Sequence, residues 1–455
     1  MANTYLSKTF SSAGNRKTFT FSAWIKRANS TTNQILLIQS LNTTNFAFLR
    51  FINNGTLNIY AESGGATQYN FTPSMLFRDT SAWYHIVLAV DTTQATSTDR
   101  VKFYVNGSQV TDFSSETYPS QNIDTIFNTT NPLELGRRTY ANDEFFDGLM
   151  SHVHFIDGTA YDASAFGEYD ANGVWKINTS PSVTYGTNGF FILKDSASVT
   201  DQSGNGNNFT VAGGTLTNTE DSPSNVFCVL NKLQKPYPAQ SNTLGLGNTK
   251  YADNNADWQR NYGTIGATTG KWFYEFKLLD DDGDTGACRI GWDSIDNIND
   301  STANYYSGLT LDRAGKLRGG EKGYGAYDPD AVQMSAAYSG GNFSFTTNDI
   351  LGMAIDIDNN RFSVYKNGNL EIDNYSYASA SNCSLLKSKG YFIAPSVNFY
   401  SSTGDRNSGV FNFGNGYFGT TAVASAGTNA SGNGIFEYDV PTGYTALCTK
   451  GLNGE

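Results

Sequence analysis

The sequence is poor in charge, in histidine and in long apolar runs. Asp, Glu, Lys and Arg make up only 16% of its 455 residues. A chain with so few charges, and without Ala/Glu/Lys/Leu-rich blocks, does not read as a bundle of helices. It has no heptad run and no basic tract. No apolar stretch approaches the roughly 18–20 residues that cross a bilayer as a helix. The opening residues, MANTYLSKTFSSAGNRKTF, lack the apolar centre of a secretion signal. Synthesis in the cytoplasm and release by lysis of the producing cell is the expectation that follows. The formal net charge is −12. An acidic surface repels phosphate backbones, which sets nucleic acid aside as a partner.

Cysteine is absent from the first half. Cys228, Cys288, Cys383 and Cys448 follow no metal-like spacing, and no C-x-x-C occurs. In a chain made in the cytosol they read as buried free thiols. The three histidines are His85, His152 and His154. His152 and His154 stand two apart in SHVHFI and would share one face of a strand. With no third ligand nearby, the pair reads as structural rather than metal-binding. A G-x-S-x-G elbow and a P-loop are both missing, and no His stands beside a Ser or Cys and an acid.

Aromatics are abundant at 14%, and there are 46 glycines. The apolar period is two almost throughout. TFTFSAWI, FAFLRFI, TLNIYAE, WYHIVLAVD, VKFYVNG, LELG and FDGLMSHVHFI read as strands in the first half. NVFCVLN, GKWFYEFKLL, GACRIGW, DILGMAIDID, RFSVYKNG, GYFIAPSVNFY, GVFNFG and a closing IFEYDVPTGYTALCT do so in the second. Asn106-Gly107 and Asn367-Gly368 each interrupt an alternating run, which is a strong signal for a two-residue hairpin. DASAFGEY, Asp162–Tyr169, is the one helix-like stretch, with Asp162 as its N-cap. Between residues 195 and 225 the chain turns Gly/Asn/Ser/Thr-rich. The expected organisation is a sandwich over 1–195, a polar linker over 196–225 and a second sandwich over 226–455. Trp24, Trp83, Trp272 and Trp292 sit inside strand patterns and are expected in the cores.

The first half resembles the laminin G-like, concanavalin A-like sandwich family, through TFTFSAWIKR, WYHIVLAVD, DRVKFYVNGSQV, LELGRR and EFFDGLMSHVHFID in that order. The second resembles a SPRY domain, another concanavalin A-like sandwich, through GKWFYEF, ACRIGW, DILGMAIDIDNNRFSVYKNG, FIAPSVNF and VFNFG. The start SSAGNRKTFTFSAWIKR, the middle DQSGNGNNFT…DSPSNVFCVLN and the ending VPTGYTALCT are similar to virion proteins of tailed bacteriophages. The resemblance implies an all-β chain of two tandem antiparallel sandwiches. It also implies a non-enzymatic virion surface protein, decorating the head or forming part of a tail fibre or adhesin. Its partners would be other virion proteins, further copies of itself within the particle, and host-surface polysaccharide. The alternatives are a polysaccharide depolymerase and a purely structural component without a ligand.

The related glucanases use a Glu-x-Asp-x-(x)-Glu pattern on one strand face, and this chain has none. FEYDVP lacks a third acid, and EFFDG has the wrong spacing. LLDDDGDTG looks like a calcium loop, but Leu278 stands where an oxygen ligand is needed. DIDNNR places Arg361 where a glycine is needed. Both read as solvated turns. The resemblance leaves room for calcium at a sandwich rim, with no motif to carry it. For a glycan or partner site, aromatics in turn-rich segments are the candidates: Trp258, Tyr262, Tyr305, Tyr306, Tyr324 and Tyr327. The competing reading of these rings is that they cap the sandwich.

Overall fold

The computed structural model describes residues 3–194, 197–233, 243–253, 259–280, 288–295, 308–315, 317–319, 332–333, 343–377, 390–399 and 407–454. The chain divides into two compact units, Met1–Asn218 and Thr219–Glu455. Each is built on two large sheets and one two-stranded sheet, and, with one two-residue exception, the described strands run antiparallel, as the alternation requires.

In the first unit an eight-stranded sheet runs Phe113–Thr117, Ala66–Pro73, Leu57–Ser63, Asn45–Phe51, Gln34–Asn42, Leu133–Leu135, Tyr5–Lys8, Thr210–Ala212. A six-stranded sheet runs Phe190–Ile192, Gly148–Asp157, Thr18–Arg27, Tyr84–Asp91, Val101–Val105, Ser108–Gln109. Their inner faces supply one apolar core, from Phe19, Phe21, Leu49, Phe51, Ile59, Phe71, Leu88, Phe103 and Phe155 among others. The outer face of the larger sheet is closed as well. Phe46 and Phe48 point outward, opposite in direction to Ala47 and Leu49, and Tyr140 packs on Phe46 at 5.1 Å. Arg138 pairs with Asp143 and Glu144, Arg50 also reaches Glu144, and Arg137 stacks on Tyr5 at 3.6 Å.

The polar segment after residue 195 differs from the linker expected. Thr210–Ala212 pairs with Tyr5–Lys8, and the boundary between units falls after Asn218. Side-chain carbonyls and carboxylates replace the ladder there. Asp201 Oδ1 accepts the Phe191 and Ser203 N–H groups at 2.8 and 2.9 Å, and its Oδ2 accepts the Asn207 N–H at 2.8 Å. Asn205 and Asn207 both donate to the Gly189 carbonyl at 2.9 Å. A Gly/Asn/Ser-rich segment is ordered when its short polar groups bond backbone in this way.

In the second unit the larger sheet runs Thr243–Gly245, Lys250–Asp253, Asn407–Asn412, Lys271–Asp280, Ile350–Asp356, Arg361–Lys366, Asn369–Ser376. Thr445–Ala446 pairs in parallel with Lys271–Asp280. The smaller sheet runs Gln259–Tyr262, Ile393–Phe399, Cys288–Ser294, Leu309–Asp312, Leu317–Gly319, Val332–Gln333. Two expected strands are not strands. NVFCVLN makes only isolated bridges, its N–H groups going to Leu447, Thr264 and Asn248 in turn. The closing segment IFEYDVPTGYTALCT contributes only Thr445–Ala446. The rest is a strap in which two successive N–H groups go to one buried side chain. Glu275, on the central strand, accepts the Glu437 and Tyr438 N–H groups at 2.9 Å each and Asn412 Nδ2 at 3.0 Å. Cys228, Cys288 and Cys448 are buried free thiols, while Cys383 lies outside the described residues. The helix-like stretch is a single 3-10 turn, Ala163–Ala165, with Asp162 accepting the Ser164 N–H as its cap.

The two Asn-Gly turns use the same device. Asn106 and Gly107 have φ of 48° and 83°, and Asn367 and Gly368 have 50° and 81°. Asn106 Oδ1 accepts the His85 N–H at 2.8 Å, and its own N–H reaches the His85 carbonyl at 2.9 Å. Asn367 repeats this with Ile350 at 2.9 and 2.8 Å. The asparagine side chain thus extends the ladder by one position onto the neighbouring strand. An aromatic ring lies over each glycine. A Cβ on Gly107 would stand 2.4 Å from Trp175, and one on Gly368 2.7 Å from Tyr438.

Gly107→Ala and Gly368→Ala should each lower stability by about 2 kcal/mol or more, since positive φ alone costs an L-residue about 1–2 kcal/mol. Denaturant midpoints check this, and unchanged midpoints would contradict the packed-turn account. Burial raises Glu275 to about 7, against the pull of its three donors. A raised carboxyl binds its proton more readily when folded. Its contribution is therefore complete below the unfolded value near 4.5 and is lost as pH rises through about 7. Glu275→Gln should flatten that slope in chemical denaturation between those pH values.

Candidate functional site

The strands of the smaller sheet in the second unit send Ile290, Trp292, Leu309, Leu311, Val397 and Phe399 into the core. Their alternate residues form the outer face, and these are nearly all polar. Pairing places Arg260, Asn398, Arg289 and Asp312 in one row across four strands. The next row holds Tyr262, Ser396, Gly291 and Thr310, and beyond it Asp293 faces Ala394. Behind the face, Tyr274 OH donates to the Gly291 carbonyl at 2.7 Å.

This face is polar and yet buried. Tyr262, Ser396, Asn398, Asp293 and Asp312 are all under 5% exposed. Arg260 Nη1 donates to Tyr262 OH at 2.7 Å, and that hydroxyl donates to Asp293 Oδ2 at 3.3 Å. Burial pushes the Tyr262 phenol far above its ordinary range, so it stays a donor. Asp293 Oδ1 accepts the Ser294 N–H at 2.8 Å. Ser396 Oγ and Asn398 Oδ1 are buried and have no hydrogen-bond partner among the described residues. A buried polar atom left unpaired costs about 1–3 kcal/mol, and these two lie in adjacent rows. The ladder continues to Phe392, whose carbonyl accepts the Ile295 N–H at 3.0 Å. Phe392 is 48% exposed, on the same side of its strand as Ser396 and Asn398. Planar polar groups with an aromatic ring at the rim are the means by which proteins hold hydroxyl-rich ligands.

Of the six aromatics expected from the sequence, Trp258, Tyr305, Tyr306, Tyr324 and Tyr327 lie outside the described residues. They fall before or between strands of this same sheet. Trp258 precedes Gln259–Tyr262, Tyr305 and Tyr306 come after Cys288–Ser294, and Tyr324 and Tyr327 come after Leu317–Gly319. Tyr262 is not the exposed platform expected. It ends a strand, pairs with Ser396 and is 2% exposed, because the ladder draws its ring onto the buried outer face. Trp24, Trp83, Trp272 and Trp292 are buried. Phe392, Ser396 and Asn398 were missed. Their signal lies in FIAPSVNF, where Ile393, Pro395, Val397 and Phe399 form one apolar set and the other set is too polar for a core.

Residues 2–163 match the family model described as the concanavalin A-like lectin/glucanases superfamily, Laminin G type. No curated protein matches the chain. Among solved structures, the SPRY domain of human HERC1 is 17% identical, over 36% of this chain and 87% of that one, with a TM-score of 0.25. Domains LG4-5 of the mouse laminin alpha1 chain are 10% identical, over 90% and 84%, with a TM-score of 0.30. The CBM40 of a Ruminococcus gnavus IT-sialidase is 14% identical, over 34% and 90%, with a TM-score of 0.25. The sheets described above make the chain all-β, and the family match gives residues 2–163 a concanavalin A-like type.

Other candidates for chemistry are committed to structure. Glu437 accepts the Ala424 N–H at 2.7 Å, and Asp439 the Thr428 N–H at 2.6 Å. In DIDNNR, Asp356 holds the Asn359 N–H at 3.0 Å and Lys271 Nζ at 3.2 Å. Residues 281–286 of LLDDDGDTG are outside the described residues. Among the described residues no group of three or more His, Cys, Asp or Glu is placed to hold a metal ion. His152 and His154 straddle a shift of register, and His152 has a φ of 48°. His154 meets Tyr185 OH at 3.0 Å and stacks on Phe191 at 4.0 Å, whereas His152 meets Ser151 Oγ at 2.7 Å.

His85 does lie beside a serine, with Nε2 2.9 Å from Ser22 Oγ. Trp175 Nε1 donates to its Nδ1 at 3.0 Å, so Nδ1 is the acceptor and Nε2 carries the proton. That tautomer has no lone pair to take a proton from Ser22, which excludes general-base activation. Burial between Trp24 and Trp175 pushes His85 down to about 3. Imidazole nitrogen NMR should show His85 neutral and Nε2-protonated at pH 5. Protonation near the ordinary 6.5 would overturn this assignment.

Proposed function

We propose that the chain is a non-enzymatic, carbohydrate-binding surface component of a tailed-bacteriophage particle, in a head decoration or a tail fibre or adhesin. The observation that carries the binding part is the buried polar outer face of the smaller sheet in the second unit, with Ser396 Oγ and Asn398 Oδ1 unpartnered and Phe392 exposed at its rim. The setting on a virion rests on the resemblance of the opening, middle and closing segments to phage virion proteins. Tandem sandwiches suit display in many copies, where weak sites become useful through multivalency. The match of residues 2–163 to the concanavalin A-like lectin/glucanases superfamily supports the carbohydrate-binding part.

The absence of catalysis is part of the same proposal. Asp293 and Asp312 are the carboxylates of this face among the described residues. Asp312 sits opposite Arg289, four positions along the strand from Asp293. That is about 13 Å, beyond the roughly 5–9.5 Å at which two carboxylates hydrolyse a glycosidic bond.

The chain incubated with host-surface polysaccharide should be retained by it and should release no new reducing ends. Mass spectrometry of purified particles should find the chain. Its absence from particles would remove the virion setting, and reducing ends released in proportion to chain concentration would replace binding with depolymerisation.

A further inference from the structure

We infer that residues 159–185 of the first unit are an acid-released cover, closed over the outer face of the six-stranded sheet at neutral pH and lifted from it when the histidines beneath take up protons.

All three histidines of the chain stand on this sheet. His85 is in Tyr84–Asp91, and His152 and His154 are in Gly148–Asp157, the two strands that flank Thr18–Arg27. The segment after Gly158 packs Ala163, Phe166, Trp175, Val183 and Tyr185 against Val87 and Ile156. Phe166 meets His154 at 5.2 Å and His85 at 6.3 Å between ring centres. Trp175 Nε1 holds His85 Nδ1 at 3.0 Å, and Tyr185 OH lies 3.0 Å from His154 Nδ1. His85 and His154 are 0% and 2% exposed, and these three cover side chains help keep water from both rings.

Both ends of the cover are pinned at one residue. Asp157 donates its N–H to the Tyr185 carbonyl at 2.8 Å, and its Oδ2 accepts the Asn188 N–H at 3.0 Å. Gly158 and Gly186, with φ of 95° and 69°, stand at the two ends. Glycine there supplies the torsional freedom of a hinge.

The closed face is hostile to charge. A proton arriving on His85 goes to Nδ1, where the Trp175 N–H already points, and sets donor against donor. On its other side Nε2 faces Ser22 Oγ, and the ring stacks on Trp24 at 4.9 Å. His154 lies on Phe191 at 4.0 Å, and His152 and His85 add like charge to it once protonated. His152 meets Ser151 Oγ at 2.7 Å. Of the other charged groups, Lys194 sits over Phe191 at 5.7 Å, Asp201 acts on Tyr185, and Asp162 and Lys102 act on Tyr104. Burial lowers His85 to about 3, and burial with the neighbouring histidines lowers His154. The closed state therefore keeps its full advantage above the ordinary histidine value of 6.5 and loses it as pH falls toward about 3. The loss is about tenfold per pH unit for each histidine.

Hydrogen-exchange mass spectrometry of the full chain tests this, with protection corrected for the intrinsic exchange rate at each pH. Between about pH 5 and 4, protection over 159–185 should fall about a hundredfold, tenfold for each of the two histidines. The Tyr161 N–H, held by Thr20 Oγ1 at 2.8 Å, is one amide that should be released. Strand Thr18–Arg27 should keep its protection, as should the second unit, which has no histidine. His85→Gln and His154→Gln keep a donor and an acceptor in place of the ring, and each should reduce the fall to about tenfold. If one of them does not fold, the other reads the same slope. A cover that stays protected at about pH 4 overturns the inference. So does a fall that neither substitution reduces. Loss of protection in Thr18–Arg27 in step with the cover also overturns it, because that is acid unfolding of the whole unit.

Discussion

A β-strand sends alternate side chains to opposite faces, so a sheet that builds a core with one face must account for the other. The structure depends on that constraint at every level. In the first unit, the outer face of the larger sheet is sealed by Phe46, Phe48 and Tyr140 under a net of arginine–carboxylate pairs. In the second, the outer face of the smaller sheet is buried but polar, and two of its oxygens lack partners among the described residues. A polar face withdrawn from water is costly unless something satisfies it. That cost makes the face the place to look for a ligand.

The Asn-Gly turns show how local chemistry and packing cooperate. Glycine supplies a positive φ, and asparagine adds a side-chain acceptor that continues the ladder to His85 in one unit and Ile350 in the other. Trp175 and Tyr438 then close over the glycines. Trp175 also sets the tautomer of His85, so one indole joins a turn, a buried imidazole and the hairpin Gly167–Tyr169 with Trp175–Ile177. In the second unit Glu275 has a comparable reach, fixing a strap that forms little ladder of its own.

Much of the fold was legible because period-two alternation is a local property. TFTFSAWI, DILGMAIDID and FIAPSVNF became strands within a few residues of where the pattern put them. Reading failed where hydrogen bonds leave the ladder. NVFCVLN is as apolar as a strand, but its N–H groups go to several partners. The segment after residue 195 has the composition of a linker, but Asp201, Asn205 and Asn207 bond the backbone around Gly189. Tyr262 looked like a loop aromatic because its neighbours are Gly- and Asn-rich, and its ladder partner Ser396 is far along the chain.

The sequence by itself determined the all-β class, the two sandwiches, the two hairpin turns and the buried tryptophans, because each follows from alternation or from backbone angles a few residues wide. Only the tertiary structure decided which outer face is sealed and which is polar. It alone brought Arg260, Arg289, Asp293, Ser396 and Asn398 together. Those residues come from three strands spread over more than a hundred positions, and pairing register, which no single strand encodes, sets their rows.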